Sequence, residues 1–185
     1  LAWKFRKPLV VFTPKSLLRH PKCVSAVDEF TKGGFQEVID DPNADPKKVT
    51  TLILCQGKLY YELLERQEEL GAGDVAIVRV EQLHPLPEPQ LAAVFARYAN
   101  VEQVRWVQEE PESMGAWPYM LRHLHKVKGA PAVEALRFVA RHASGAPATG
   151  SGVRSAIQQK KILEEAFAHR SSAGDEKPAK AKVRA

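Results

Sequence analysis

The run VTTLILC at residues 49–55 constrains the fold more than any other stretch, because it is apolar or β-branched at both odd and even positions. A strand of that kind has to be covered on both faces, which is the situation inside a parallel sheet. A similar run occupies residues 74–80, after Gly71-Ala72-Gly73, and a third strand starts near Val101, with Val104, Trp106 and Val107 as its apolar stretch. Each is followed by a segment with helical periodicity: residues 59–69, whose Leu59, Leu63 and Leu64 share one face, then residues 90–98, then residues 119–124. Strands alternating with helices predict an α/β fold, a mostly parallel sheet sandwiched by helices.

The rest of the chain fits around that rhythm. The apolar run Leu9-Val10-Val11-Phe12 predicts a first strand stopped by Thr13-Pro14, then a helical turn over residues 15–19. A short helix is expected over residues 24–30 and an alternating strand over residues 35–39, leading into a polar, proline-containing surface loop at residues 40–48. Pro111 disfavours helix at Glu110, so the strand of residues 101–107 is expected to end in a turn at Gln108-Glu109-Glu110. A last strand over residues 136–139, a Gly/Ala/Pro/Ser connector at residues 143–152 and a helix over residues 153–168 complete the order. The expected division is an α/β domain over residues 1–142, the connector and terminal helix over residues 143–168, and a basic tail over residues 169–185.

A chain of 185 residues can bury one core. No apolar run approaches the ~20 residues of a membrane span, and the amino terminus lacks the small-residue cleavage site of a signal peptide. Cys23 and Cys55 supply neither a disulfide framework nor a metal-ligand spacing, which fits a reducing compartment. The net charge is +5, with signs mixed along the body and a basic excess at Lys177, Lys180, Lys182 and Arg184. Without interleaved aromatics that excess reads as a solvated tail rather than a nucleic-acid arm.

Neither GxGxxG nor GxxxxGK[ST] is present, so the standard phosphate-binding signatures are missing. In a parallel sheet the carboxyl ends of the strands share one edge, which places Thr13-Pro14-Lys15, Gln56-Gly57-Lys58, Glu81-Gln82 and Gln108-Glu109-Glu110 on one side. Thr13, Lys15, Lys58 and Gln108 are therefore candidates for an anion or effector site, with a plain strand-to-helix turn and a solvated lysine as the alternative. Glu109 and Glu110 read either as an acid/base pair or as a salt bridge, and adjacent residues on a strand cannot both face one pocket. Cys55 reads as a small buried residue rather than a nucleophile. His84 can cap, hydrogen-bond or line an interface, Trp106 suits the core, and Trp117 an interface.

Several phrases together resemble one family: RKPLVVFTPKSLLRHP at residues 6–21, LCQGKLYYELLE at 54–65, DVAIVRVEQLHPLP at 74–87, WVQEEPESMGAWPYM at 106–120, and the connector SGAPATGSG. They are similar to the carboxyl-terminal region of the thiamine-diphosphate-dependent, decarboxylating subunit of 2-oxoglutarate dehydrogenase, over residues 6 to 167. The resemblance implies a three-layer, five-stranded transketolase carboxyl-terminal fold. It also implies thiamine diphosphate and Mg²⁺ bound upstream, and decarboxylation of 2-oxoglutarate in the citric acid cycle with succinyl transfer to a lipoyl group. Implied partners are the upstream domains of the same subunit, a second copy in a homodimer and the lipoyl succinyltransferase, with no nucleic acid and no membrane. The compartment would be the cytoplasm in a bacterium or the mitochondrial matrix in a eukaryote. On this reading the chain is inactive alone, and supplies dimer and active-site-funnel structure through His84, Gly115 and Trp117. The alternative is an effector-binding module for an acyl-CoA or adenine nucleotide. An exposed apolar patch is expected around residues 84–86 and 114–119, where a partner domain would sit.

Overall fold

The computed structural model describes residue 8 and residues 10–168. Helix α1 (Val27–Thr31) precedes strand β1 (Val38–Ile39). Then come β2 (Thr51–Cys55), α2 (Leu59–Leu70), β3 (Val75–Val80), α3 (Glu88–Arg97), β4 (Gln103–Pro111), α4 (Trp117–His123), β5 (Leu136–Arg141) and α5 (Gly152–Ala166). The five strands form one sheet in the order β1-β3-β2-β4-β5. β2, β3, β4 and β5 run parallel, and only β1 is antiparallel, to β3. The α/β expectation and its mostly parallel sheet are therefore met.

β2 lies at the centre, with Thr51 opposite both Val75 and Gln103. All five of its residues are buried, which is why it reads as apolar at every position. Pleating sends alternate side chains to opposite faces. Leu52, Leu54, Val78 and Trp106 join Leu91 of α3 and Met120 of α4 on one side, while Ile53, Ile77 and Val107 join Leu59 and Leu63 of α2 and Ile162 of α5 on the other. α2 ends at Gly71, whose φ of 56° is the left-handed turn that lets the chain double back into β3.

α5 is held at both ends. The Ser151 hydroxyl accepts a bond from the Arg154 amide at 3.4 Å. At the far end the buried Arg105 of β4 donates to the carbonyl of Ala166 at 2.6 Å. Burial, with Arg137 nearby, holds that guanidinium below its ordinary pKa.

Three expectations are corrected. Val10, Val11, Phe12 and Thr13 are in no strand, and Phe12 is 94% exposed, while Leu9 lies outside the described residues. An apolar β-prone run becomes a strand only where an edge accepts it, and neither β1 nor β5 does so here. The strand expected at residues 35–39 shrinks to Val38 and Ile39. Beyond it, the buried Asp41 carboxylate accepts the Ile77 amide at 3.1 Å, a side chain standing in for the missing strand. Finally, β4 continues to Pro111, which pairs with Arg141 past an irregularity after Val107. Pro111 ends the strand rather than preventing it, a position where proline's missing amide is tolerated. The basic tail at residues 169–185 lies outside the described residues.

Candidate functional site

The carboxyl ends of β2, β3 and β4 do share one edge, but pleating splits their side chains between the two faces. Lys58 precedes α2, on the face where that helix packs. Its ammonium contacts the Glu109 carboxylate of β4 and lies 3.4 Å from Glu62 one turn along α2. Glu62 in turn accepts from the Gln159 amide of α5 at 2.9 Å, so one network joins α2, β4 and α5. Burial works against the charged lysine, but the Glu109 and Glu62 carboxylates outweigh it and hold Lys58 above its ordinary pKa. Of the two readings of Glu109, the structure shows the salt bridge.

Gln108, one residue earlier, points to the opposite face and is 1% exposed. Its Oε1 accepts from the Trp106 indole at 2.9 Å and from the Trp117 backbone amide at 3.0 Å, at the start of α4. Its amide donates to the Met114 carbonyl at 2.7 Å and the Pro111 carbonyl at 3.2 Å. One side chain thus satisfies the turn that carries β4 into α4. Gly115 completes the arrangement: its φ is +72°, and a Cβ there would lie 2.8 Å from Gln108 Nε2. The sequence pointed to these residues, yet not to this role.

Thr13 and Lys15 are exposed in the amino-terminal segment, Lys15 opening a short 3₁₀ turn. The four candidates for an anion site are therefore not gathered around one open pocket: Gln108 is internal, and Lys58 is matched by two carboxylates. Glu81 at the end of β3 is taken up by Arg79 at 2.8 Å, and Arg79 lies over the ring of Tyr60 at 4.8 Å. Between Tyr60, Tyr61 and the amino-terminal segment runs a cleft of about 850 Å³, lined among others by Lys22, Cys23, Phe30 and Asp40. Burial, with Glu81 close by, pushes the Cys55 thiol far up, so it is an inert core group as expected.

The interface candidates differ in how far they are covered, and Gly115 is exposed. Trp117 is half-buried and stacks on Phe138 with ring centres 4.5 Å apart. His84 is exposed, with Nδ1 3.3 Å from the Tyr119 hydroxyl. None of the large exposed apolar side chains among the described residues falls at 84–86 or 114–119. They gather instead at Val10, Val11, Phe12, Leu18, Val24, Val27, Phe30 and Phe35, with Val133, Val153 and Ile157 as the others. The expected patch is thus displaced to the amino-terminal segment, because Trp117 packs against Phe138 whereas Val10, Val11 and Phe12 are left exposed among the described residues.

Among the described residues, no group of three or more His, Cys, Asp or Glu side chains is placed to hold a metal ion, and no helix is long and apolar enough to cross a membrane. The polar groups described above hold elements to one another: Lys58 ties α2 to β4, and Gln108 ties β4 to α4.

Comparison with known proteins places these features in a context. A family model described as "2-oxoglutarate dehydrogenase C-terminal" matches residues 24–167. The chain is 47% identical over 164 residues to the 2-oxoglutarate dehydrogenase E1 component of Azotobacter vinelandii, covering 88% of this chain and 17% of that protein. It is 44% identical over 164 residues to the 2-oxoglutarate dehydrogenase E1/E2 component of Corynebacterium glutamicum, covering 13% of it. A multifunctional 2-oxoglutarate metabolism enzyme of a Mycobacterium species is 43% identical over 168 residues. The chain thus spans less than a fifth of the length of the relatives it matches.

Proposed function

Because the chain belongs to the family of 2-oxoglutarate dehydrogenase carboxyl-terminal domains, we propose that it works as that domain of an E1 component and has no catalytic activity by itself. The reaction proposed for the whole subunit is decarboxylation of 2-oxoglutarate with thiamine diphosphate and Mg²⁺, followed by succinyl transfer to a lipoyl group. Thiamine diphosphate supplies the carbanion chemistry when bound. The resemblance to the family implies that this cofactor and its metal are held by other parts of the subunit. This chain contributes a rigid βα scaffold, in which Gln108 and Gly115 set the turn presenting Trp117, together with surface for the upstream domains and a second subunit.

The observation that carries this reading is the band of exposed apolar side chains from Val10 to Phe35. A self-sufficient domain rarely leaves so much apolar surface in one segment, whereas one domain of a larger subunit has neighbours to cover it. The effector-binding alternative gains nothing from Lys58, whose charge is already matched by Glu109 and Glu62.

The test is an assay of purified chain with 2-oxoglutarate, thiamine diphosphate, Mg²⁺ and an artificial electron acceptor. No turnover is expected, while a full-length subunit containing this sequence turns over. Turnover by the isolated chain overturns the proposal.

A further inference from the structure

The charge of this molecule is distributed unevenly. Up to Glu112 the chain carries fourteen Lys and Arg against seventeen Asp and Glu, whereas from Ser113 to Ala168 it carries eight against three, two of which, Glu164 and Glu165, pair with Lys160 and Lys161. The overall value of +5 therefore conceals a basic stretch in the second half of the folded body, separate from the terminal tail.

Within that stretch, the densest cluster is LRHLHKVK at residues 121–128, where α4 passes into a 3₁₀ turn at Leu124–Lys126. Met120, Leu124 and Val127 form its inward face and are buried in the core. That anchoring leaves Arg122, His125, Lys126 and Lys128 exposed. Arg122, His125 and Lys126 fall at the i, i+3 and i+4 spacing that places side chains on one helical surface. None of Arg122, Lys126 and Lys128 forms an ion pair among the described residues, although Lys22, Lys58, Arg79 and Arg97 each meet a carboxylate. Like charges one turn apart repel by a few tenths of a kcal/mol in an isolated helix. A cluster fixed on a buried anchor with no counter-charge among the described residues leaves its neutralisation to something else.

We infer that the turn from Arg122 to Lys128 is a docking surface for an acidic protein segment, distinct from the apolar band at the amino terminus. The cluster spans on the order of 10 Å, which matches the carboxylates of one helix or loop. Binding to nucleic acid draws on a longer track of phosphate contacts or on free aromatic faces for base stacking. Here the neighbouring rings of Tyr119 and His123 are stacked on each other at 4.4 Å.

The inference is tested on the full chain with a labelled oligoglutamate peptide of about twelve residues and, in parallel, an oligothymidylate of equal charge, at about 50 mM salt. Charge reversal by R122E, K126E and K128E together is expected to weaken oligoglutamate binding by about tenfold or more, and alanine at the same three positions by about threefold. Reversal of Lys177, Lys180, Lys182 and Arg184 in the tail should change it by less than about twofold. Unaltered near-ultraviolet circular dichroism shows that the variants are folded, and the alanine variant provides the readout if the reversed one is not. If the affinity follows the tail, if both patch variants bind like the parent, or if oligothymidylate binds more tightly through the same residues, the assignment is overturned.

Discussion

Residues 10–12 and 52–54 have nearly the same chemistry, Val-Val-Phe against Leu-Ile-Leu, and opposite fates. Leu52, Ile53 and Leu54 are wholly buried, while Val10 is 74% exposed and Phe12 is 94% exposed. β-propensity does not distinguish them. The difference is that β2 has β3 on one side, β4 on the other and helices over both faces, whereas the amino-terminal run meets no edge. Apolar side chains stabilise a fold through the partners that exclude water from them. The body satisfies its own strands, and the amino-terminal segment leaves its apolar run exposed.

The comparison is challenged most severely at Trp106, the largest of the wholly buried side chains. Trp106→Ala should destabilise the isolated chain by about 3–5 kcal/mol, read as a lowered urea midpoint. A loss similar to that of an exposed residue would mean that the sheet body is not the source of stability.

Next in size is Gln108→Leu, which conserves volume and removes the acceptor of the Trp106 indole and Trp117 amide and the donor to Met114 and Pro111. Buried groups left unpaired cost ~1–3 kcal/mol each, and incomplete relaxation should leave a net loss of about 2–4 kcal/mol in the same measurement. Gly115→Ala attacks the same turn from the backbone side and should cost about 1–2 kcal/mol. In the full-length subunit either change should lower turnover more than its stability loss explains, if this turn shapes the funnel.

The third effect depends on pH. Lys58 is held above its ordinary 10.5 by Glu109 and Glu62 against the cost of burial. Burial and the bond to Asp40 likewise push the Tyr98 hydroxyl up from 10.0. In both cases the folded state holds its proton more tightly than the unfolded one. The stabilising contribution is therefore complete below pH 10 and is lost as pH rises through the folded pKa values. Urea midpoints should fall above pH 10, and Lys58→Met and Tyr98→Phe should each make that fall shallower. An unchanged slope in both variants removes the argument for these two contacts.

The smallest effect is the most informative about the amino-terminal segment. Phe12→Ser should change the stability of the isolated chain by less than about 0.5 kcal/mol, as for other exposed positions. In a full-length subunit the same substitution should impair assembly or turnover. A large loss in the isolated chain would show that this segment already packs on the body, and the contrast drawn above would fail.

Much of the architecture was legible in advance because its signals are local. The doubly apolar pattern at residues 49–55 and 74–80 placed β2 and β3 in the interior, and the spacing of Leu59 and Leu63 marked the inward side of α2. The same local reading put Val10 and Phe12 into a strand, since pattern alone reports willingness to pair and not the presence of an edge. At the site, Gln56-Gly57-Lys58 and Gln108-Glu109-Glu110 were correctly drawn to one end of the sheet. Their side chains do not share a pocket, because alternation along β4 sends Glu109 towards Lys58 and Gln108 into the opposite layer. The basic run at residues 121–128 was legible too. The reading of mixed signs along the body, with an excess only in the tail, is corrected there by Arg122, Lys126 and Lys128.

What the amino-acid order fixed by itself is the alternation of strands and helices from β2 onwards and which of those strands lie inside, because helical and strand periodicity are properties of neighbouring residues. Only the tertiary structure decided what the polar residues do. Lys58 meets Glu109 from 51 positions away and Arg105 reaches a carbonyl 61 positions on, and contacts at such separations exist only once the sheet order and the direction of each pleat have been set.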